Sequence, residues 1–340
     1  VLDLSGSVVA STKESESIDS GLITNFANSP VDSQVIGNDH LLKVLDEGEL
    51  AYILIASGNG ENTYTVGKIC VSQLQNLIVA YKERYDRNNF FQNLMLDNLL
   101  LIDIYNRAKK LHIEVTVPRV IILIETNTEK DNTVAELLGG MYTSQSGDYI
   151  TAVDETSVIL IKSLASGENY DAVKQIATTI VDMINTEAMM NVRVAYGTIV
   201  SELKDLSKSY KEAKMALEVG KIFYVEKKVN AYNTLGIGRL IYQLPINLCR
   251  IFIEEIFGEN DILDSLDEET LNTINKFFEN NLNVSETSRQ LFIHRNTLVY
   301  RIEKLERSTG LDIRKFDDAL TFKIALMVAS YMRYLDTHEY

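Results

Sequence analysis

The chain has 340 residues, more than one ordinary hydrophobic core holds, so two or three domains are expected. Hydrophobic residues make up 46% of the sequence, which is enough to fill such cores. The formal net charge of −15 excludes a protein whose whole surface binds polyanions, and it confines any nucleic-acid binding to a local patch.

Cysteine and histidine indicate neither a disulfide nor a metal site. Cys70 and Cys249 lie far apart in apolar neighbourhoods and are expected to be buried free thiols of a reducing compartment. The histidines are scattered, and none shares a metal-ligand spacing with a cysteine. Because no apolar run reaches about 18 residues, we expect no membrane span. We also expect no cofactor, no metal and a cytoplasmic location.

The first part of the chain has strand-like patterns. Val1–Thr12 is predicted to be a strand, a turn and a strand, and a later hairpin is predicted from Leu50–Gly58 and Thr63–Val71. The pattern resembles a PAS-like or diacid-recognition-like sensor that begins part-way through its sheet. Residues 1–67 are therefore interpreted as a sensor-like α+β segment truncated at its N-terminus, and an upstream segment stays an open alternative.

The charge of this segment argues against a dicarboxylate ligand. Between Val1 and Gly67 the Lys and Arg residues are Lys13 and Lys43, against ten acidic residues, which gives a net charge of −8. Carboxylates are best held by Arg or Lys. We therefore expect a neutral or cationic effector, or sensing through a partner protein. A diacid held by backbone amides, or by cations upstream of the segment, stays the alternative.

A helical stretch is predicted from about Gly67 to Lys110, with a break near Asp86–Asn89. Apolar residues keep a heptad-like spacing before and after that break, at Leu74, Ile78, Tyr81, Tyr85, Met95, Leu99 and Ile102. Because a long helix leaving a sensor commonly pairs with its twin, residues 68–113 are interpreted as a helical dimerisation linker. Packing on the neighbouring domains is the alternative.

Strands and helices alternate from Val117 onward. The predicted elements are a buried strand, a hairpin, a helix, a strand and a second helix, at Arg119–Thr126, Tyr149–Leu164, Asp171–Asn185, Val192–Val200 and Asp205–Phe223. This order resembles a degenerate GGDEF-like domain, most clearly in "AYGTIVSELKDLSKSYKEAKMALEVGK". Residues 114–226 are assigned to it.

The predicted hairpin lacks what a nucleotide cyclase of that fold needs. Such an enzyme uses a Gly-Gly-acid-acid turn, in which glycines let the backbone approach a phosphate and carboxylates hold a metal. Here the turn reads "TAVDETSVI", with Asp154 and Glu155 adjacent and no glycine beside them. The glycines of "LLGG" at Leu137–Gly140 lie outside the hairpin and are interpreted as a helix end. We expect no catalytic residues and no enzyme activity.

Residues 283–305 read "NVSETSRQLFIHRNTLVYRIEKL" and predict two helices joined by a tight turn. Ser285 is expected to cap the first helix, which runs to about Phe292. The second helix begins near Arg295 and stops at Gly310, which supplies the left-handed backbone of a helix end.

The second helix has the properties of a recognition helix. Its inward face holds Leu298, Ile302 and Leu305 at i, i+4 and i+7. In the major groove an Arg can bond guanine with two hydrogen bonds, and an Asn can bond adenine likewise. The candidate DNA-binding residues are His294, Arg295, Asn296, Thr297, Val299, Tyr300, Arg301 and Lys304.

The charge of this region is opposite to that of the whole chain. Between Asn283 and Lys315 seven Lys and Arg residues stand against four acidic residues, a net charge of +3. This is the local patch to which polyanion binding is confined. On periodicity alone, a helical hairpin with a solvated charged face stays the alternative.

The stretch from Asn283 to Leu326, with "LFIHRNTLVYRIEKL" and "TGLDIRKFDDAL", resembles the C-terminal helix-turn-helix of the PucR/CdaR regulators. Ser288 stands where that family usually has Ala. The resemblance implies a ligand-responsive, sequence-specific transcriptional regulator that binds double-stranded DNA. The same motif resembles that of the nucleoid protein Fis, which implies DNA contacts at His294, Arg295 and Thr297.

The expected architecture is multidomain α+β, with the helix-turn-helix in an all-α C-terminal domain. Two copies on a two-fold axis enlarge the contact with DNA, so a homodimer on an inverted repeat is expected. The alternatives are a nucleotide-signalling enzyme, either a cyclase or a phosphodiesterase, and a non-DNA scaffold protein. The assigned segments are 1–67, 68–113, 114–226, a connecting segment at 227–266, and the DNA-binding domain at 267–340.

Overall fold

The computed structural model of the chain describes residues 1–12, 20–60, 62–126, 133–142, 147–154, 156–258 and 266–338. Lys13 of the expected sensor segment and Glu155 of the predicted hairpin turn lie outside these ranges. The chain divides into two compact units, of which the first contains Val1–Asn93 and Arg107–His112, and the second contains Leu94–Asn106 and Ile113–Tyr340.

The first unit contains a three-stranded antiparallel sheet in the order β1-β2-β3. Its elements are α1 (Ser20–Asn28), β1 (Ser33–Ile36), β2 (Asp39–Asp46) and β3 (Glu49–Ser57). The turn from β2 to β3 has positive φ at both Glu47 and Gly48, as the right-handed twist of a tight hairpin favours. Ile23 and Phe26 of α1 pack with Ile53 to form the core.

The predicted strands at the start of the chain are only partly present. Over Val1–Thr12 the structure has isolated bridges, Leu2 to Val8 and Leu2 to Ile53, and no strand. The strand at Leu50–Gly58 is confirmed, but its predicted partner at Thr63–Val71 is wrong, because that segment is helical. β3 pairs with β2 instead, and the hairpin turns at Glu47 and Gly48.

The segment Thr63–Val71 is helical because this helix packs directly on the sheet. A Cβ atom at Gly67 would stand 2.5 Å from Leu42 Cδ1 and 3.1 Å from Ala56 Cβ. The missing side chain therefore lets the helix backbone approach the strands closely. Such tertiary packing outweighs the local strand preference of the alternating Thr, Tyr and Val residues.

Two helices follow, α2 (Thr63–Met95) and α3 (Leu101–Lys110). The predicted break near Asp86–Asn89 is wrong, since α2 continues through it. That segment contains neither Gly nor Pro, and polar residues on an open face do not end a helix. The interruption lies after Met95, where Asp97 has a φ of 58°.

The second unit begins with a five-stranded sheet in the order β5-β6-β4-β7-β8. Its strands are β4 (Arg119–Glu125), β5 (Tyr149–Thr151), β6 (Ser157–Ser163), β7 (Arg193–Tyr196) and β8 (Val229–Ala231). All pairs are antiparallel except β7 with β8. The predicted strand at Arg119–Thr126 and the hairpin at Tyr149–Leu164 are confirmed.

Three helices cover this sheet, α4 (Thr133–Met141), α5 (Tyr170–Glu187) and α6 (Leu206–Phe223). The apolar side chains of α5 pack against alternate residues of β4, including Ile122 and Ile124. α6 lies so close to β7 that a Cβ atom at Gly197 would stand 2.0 Å from the Ser209 carbonyl oxygen. The predicted helices at Asp171–Asn185 and Asp205–Phe223 are confirmed.

The named elements that follow β8 in the described part of the second unit are helices. They include α7 (Ile237–Tyr242), α8 (Ile246–Phe257), α9 (Glu268–Glu279), α10 (Val284–Gln290), α11 (Arg295–Thr309) and α12 (Phe316–His338). α12 belongs to two hydrophobic clusters. Phe322 packs with α9 and α11 residues, whereas Val328 and Tyr331 pack with Ile241 and Cys249 from α7 and α8.

The end of α12 is joined to α6 through polar groups. The Tyr334 hydroxyl donates to Glu218 Oε2 at 2.7 Å, and Lys221 Nζ lies 3.0 Å from Glu218 Oε1 and pairs also with Glu125. Burial and the bond to Glu218 raise the pKa of Tyr334 far above its ordinary value, so the phenol keeps its proton and stays a donor.

The two cysteines, both predicted to be buried, differ in their exposure to solvent. Cys249 is buried as predicted, but Cys70 is exposed on α2, so its predicted burial is wrong. Ile69 and Val71 beside it in sequence are apolar, but its own side chain is open to solvent. Within the described ranges no helix is long and apolar enough to cross a membrane, and no His, Cys, Asp and Glu side chains group as metal ligands.

Candidate nucleic-acid interface

The first helix of the predicted motif is capped two residues earlier than expected. The Asn283 side chain accepts from the Glu286 amide at 3.1 Å, so Asn283 rather than Ser285 is the N-cap of α10. Asn281 and Leu282 both have positive φ and bring Asn283 to the capping position. The helix ends at Gln290, before the predicted limit at Phe292.

The turn between α10 and α11 is a Schellman motif. The Phe292 amide donates to the Arg289 carbonyl at 3.2 Å, and the Ile293 amide donates to the Ser288 carbonyl at 3.0 Å. The motif needs left-handed backbone at Phe292, whose φ is 57°. Glycine commonly occupies such a position, and another residue costs roughly 1–2 kcal/mol there. Ile293 packs on the core, whereas Phe292 is 95% exposed.

The recognition helix is built as the sequence predicts. His294 is its N-cap, with Nδ1 accepting from the Asn296 amide at 3.2 Å, and Gly310 closes it with a φ of 76°. Leu298, Ile302 and Leu305 are buried. Burial of these three side chains fixes which face of α11 is open to solvent.

Most predicted contact residues lie on that open face. The exposed ones are His294, Arg295, Asn296, Thr297, Tyr300 and Lys304, while Val299 is half-buried. Arg295 and Asn296 are the first two residues of α11, where the helix dipole has its positive end. The structure therefore places a guanidinium, an amide and a hydroxyl together at the helix start.

Arg301 has a different surrounding. Its Nη2 pairs with Glu269 Oε1 at 2.5 Å, and its Nη1 donates to the Thr273 hydroxyl at 3.1 Å. Glu269 and Thr273 belong to α9, so Arg301 joins the recognition helix to the helix behind it. The sequence contains no signal for this pairing, because the partners lie about thirty residues away.

The net charge of +3 is carried by particular side chains. Four of the seven cations between Asn283 and Lys315 form ion pairs, namely Arg289, Arg301, Arg314 and Lys315. Within the described part of the chain no carboxylate lies within ion-pair distance of the other three, Arg295, Lys304 and Arg307. All three are exposed on α11, so the positive surface coincides with the recognition helix.

The segment after α11 is also held by ion pairs. Arg314 Nε lies 2.6 Å from Asp312 Oδ1, and its Nη2 lies 2.8 Å from Glu306 Oε2. The hydrogen bond from Arg314 lowers the pKa of the Asp312 carboxyl. These residues of "TGLDIRKF" thus tie α11 to the start of α12.

Two family models match the chain. The PucR C-terminal helix-turn-helix domain matches residues 270–328, and the GGDEF-like domain matches residues 99–219. The sequence is also 26% identical over 311 residues to the carbohydrate diacid regulator of Escherichia coli (strain K12), which covers 83% of this chain and 77% of that protein. This chain is a regulator of the PucR/CdaR type. It has the α+β and helix-turn-helix parts expected of that type.

Other relatives of this PucR/CdaR-type regulator are matched over shorter lengths. The purine catabolism regulatory protein of Bacillus subtilis (strain 168) is 24% identical over 50% of this chain and 32% of its own length. The proline-responsive transcriptional activator PutR of the same organism is 26% identical over 51% of this chain and 44% of its own. The solved regulator of polyketide synthase expression from Bifidobacterium adolescentis covers 73% of this chain and 93% of its own, at 14% identity and a TM-score of 0.36.

We predict that Arg301→Ala lowers the free energy of unfolding by about 1 kcal/mol, because it removes a partly exposed ion pair and one hydrogen bond. Arg295→Ala, which removes an exposed cation without an ion pair, should leave stability within about 0.5 kcal/mol of wild type. Urea unfolding followed by circular dichroism measures both. Equal stability of the two variants would contradict the role of Arg301 in joining α11 to α9.

Proposed function

We propose that the protein is a sequence-specific DNA-binding transcriptional regulator whose α11 enters the major groove. The observation that carries the proposal is the surface of α11, where Arg295, Lys304 and Arg307 have no ion pair among the described residues of an otherwise acidic chain. A regulator of chromosomal DNA acts in the cytoplasm of a bacterial cell, which is the location we propose.

The residues at the start of α11 have chemistry suited to bases. Arg295 can donate two hydrogen bonds to guanine, and Asn296 can exchange two with adenine. The Thr297 hydroxyl and the positive end of the helix dipole suit a phosphate. We assign His294 to the same end, because its Nδ1 accepts the capping hydrogen bond and its exposed ring leaves Nε2 open for a contact with DNA.

The remaining predicted residues lie further along α11. Val299 and Tyr300 offer apolar and hydroxyl contacts to the groove, and Lys304 offers a charge to the phosphates. Arg301 contributes through its bonds to Glu269 and Thr273, which support it as a positioning residue rather than a direct contact.

We predict that Arg295→Ala weakens binding to the preferred duplex by about 1–3 kcal/mol and relaxes the preference at one base pair. The duplex is the one that the wild-type protein selects from a random library, and fluorescence anisotropy gives the affinity. Arg307→Ala is the matched control, since it removes the same charge about 18 Å further along the helix. It should weaken all duplexes evenly and reduce the salt slope by about 1.

An unchanged affinity and base preference in Arg295→Ala would show that α11 does not read DNA in this way. The same titrations distinguish DNA binding from the alternative function, a scaffold that binds protein. If the helix-turn-helix binds protein instead, duplex affinity has no steep dependence on salt, because no counterions are released from phosphates.

We propose further that the protein acts as a homodimer through α2. Large apolar side chains of this helix are exposed, with exposed fractions of 64% at Leu77, 73% at Tyr81 and 62% at Tyr85. They recur every four residues and form a stripe along the helix. A stripe of this kind suits a second copy of the same helix, and a dimer doubles the number of recognition helices on an inverted repeat.

Tyr81→Glu is expected to shift the protein toward monomer at micromolar concentration and to lower its affinity for an inverted repeat by at least tenfold, the cost of losing about 1.4 kcal/mol. Val225→Glu, at an exposed apolar position of the second unit, is the control and should stay dimeric. Analytical ultracentrifugation reports the mass. A monomeric wild-type protein with full affinity for the repeat excludes this assembly.

The effector proposal rests on the cations of the first unit. Lys43 is the basic residue of the expected sensor segment that the structure describes, and its Nζ donates to the Ser29 carbonyl at 2.5 Å and lies 5.5 Å from the Phe26 ring centre. It is therefore engaged within the fold. Although one relative is named for carbohydrate diacids, we propose a neutral or cationic effector for this chain.

A thermal-shift screen of the whole chain tests this proposal with sugar diacids, neutral sugars and amino compounds at equal concentration. We expect a neutral or amino compound to raise the melting temperature, and sugar diacids to leave it unchanged. A rise with a diacid at micromolar concentration that Lys43→Ala abolishes would restore the diacid alternative.

We propose that the GGDEF-like domain has no cyclase or phosphodiesterase activity. Asp154 Oδ1 accepts hydrogen bonds from the Thr156 amide and hydroxyl and from the Ser157 hydroxyl, at 3.0, 3.0 and 2.6 Å. Burial raises the pKa of Asp154, but these bonds outweigh burial and lower it. This carboxylate therefore closes its own turn. Turnover of GTP with Mg²⁺ would favour the enzyme alternative.

A further inference from the structure

The feature that the proposed function leaves unexplained is the side chain of Phe292. It lies in the turn between α10 and α11, two residues before the N-cap His294. Its exposed fraction is 95%, the largest among the exposed large hydrophobic residues of the described chain. The side chain thus stabilises neither helix by burial.

The backbone at this position favours another residue. Phe292 has left-handed dihedral angles in a Schellman motif, where glycine fits without strain. The fold therefore gains nothing from a phenylalanine and is strained by it. A residue that is unfavourable for the isolated chain and fully open to solvent is explained by a contact outside the chain.

The surroundings of Phe292 select the kind of partner. His294, Arg295 and Asn296 are exposed directly beside it, at the positive end of α11. Within the described residues Arg295 has no carboxylate at ion-pair distance, so the surface around the phenyl ring suits a polyanion. A partner that combines negative charge with apolar groups at this scale is duplex DNA, whose thymine methyl groups line the major groove.

We propose that Phe292 is a specificity-determining residue that packs on a thymine methyl group at the edge of the half-site. This inference rests on the proposed function, in which the start of α11 enters the major groove. Arg295 and Asn296 then read bases by hydrogen bonds, and Phe292 reads a neighbouring base by apolar contact.

A second residue of the chain supplies a matched control. Met189 follows the last turn of α5, has a φ of 54° and is 90% exposed. Its φ and its exposed fraction thus nearly match those of Phe292, but Met189 lies on the GGDEF-like domain rather than beside the recognition helix. Met189→Gly makes the same kind of change away from the proposed interface.

The test uses the full chain and the duplex that the wild-type protein selects from a random library. Phe292→Gly should weaken binding roughly threefold to tenfold, with an unchanged salt slope because no charge is lost. Met189→Gly should bind as wild type. Both variants should melt no lower than wild type, since glycine fits both positions. Phe292→Asn, which also tolerates this backbone, should lose as much affinity as Phe292→Gly.

Replacing each thymine of the half-site in turn by deoxyuridine removes one methyl group at a time. The wild-type protein should lose affinity at one such position, and Phe292→Gly should be insensitive to the same replacement. Wild-type affinity of Phe292→Gly or Phe292→Asn, equal uracil sensitivity of Phe292→Gly and wild type, or an equal loss in Met189→Gly each overturns the inference.

The inference and the proposed function fail in distinguishable ways. If Arg295→Ala loses affinity while Phe292→Gly keeps it, the recognition helix reads DNA without Phe292. If both variants bind as wild type, α11 is not the DNA-binding element and the inference falls with the proposed function.

Discussion

The architecture of the second unit depends on α12, a single helix whose side chains belong to two hydrophobic clusters. Its first half packs under α9 and α11, and its second half packs against α7 and α8. The hydrogen bond from Tyr334 to Glu218 then secures its end to α6. Because a continuous helix transmits position along its length, the orientation of the recognition helix is tied to the five-stranded sheet.

Several basic side chains of the helix-turn-helix region form ion pairs with nearby carboxylates. Arg289, Arg301 and Arg314 are neutralised locally by Glu286, Glu269 and the acids around Asp312. The other three cations between Asn283 and Lys315 are exposed on α11, while the net charge of the whole chain repels DNA elsewhere. Like-charge repulsion over most of the surface favours encounters in the productive orientation, so the acidic composition supports specificity instead of opposing DNA binding.

The elements that the sequence predicts correctly are those whose structure depends on a local pattern of residues. The spacing of Leu298, Ile302 and Leu305, with Gly310 beyond them, defines α11 because an amphipathic helix with a left-handed stop needs no distant information. β4 was equally clear, since a run of branched apolar residues at Arg119–Glu125 suits a strand buried on both faces.

The features that the sequence predicts wrongly depend on backbone geometry and on contacts with residues distant in sequence. The helical state of Thr63–Val71 depends on the contact of Gly67 with Leu42 and Ala56, which the local sequence does not contain. The cap of α10 shifted to Asn283 because the two preceding residues have positive φ. The surroundings of Arg301 follow from Glu269 and Thr273 on another helix. The sequence alone therefore does not distinguish the candidate residues of α11 that are open to solvent from Arg301, which is bonded to another helix.

The edge-to-face pair of Phe257 and Phe322, with ring centres 5.8 Å apart, bears on how such regulators exchange parts in evolution. Phe257 ends α8, upstream of the helix-turn-helix, yet it belongs to the same core as α9, α11 and α12. A gene fusion that joined a new sensor directly before α9 would leave Phe322 without its aromatic neighbour. The unit that recombination can move intact is therefore larger than the motif that reads DNA, and it includes α8.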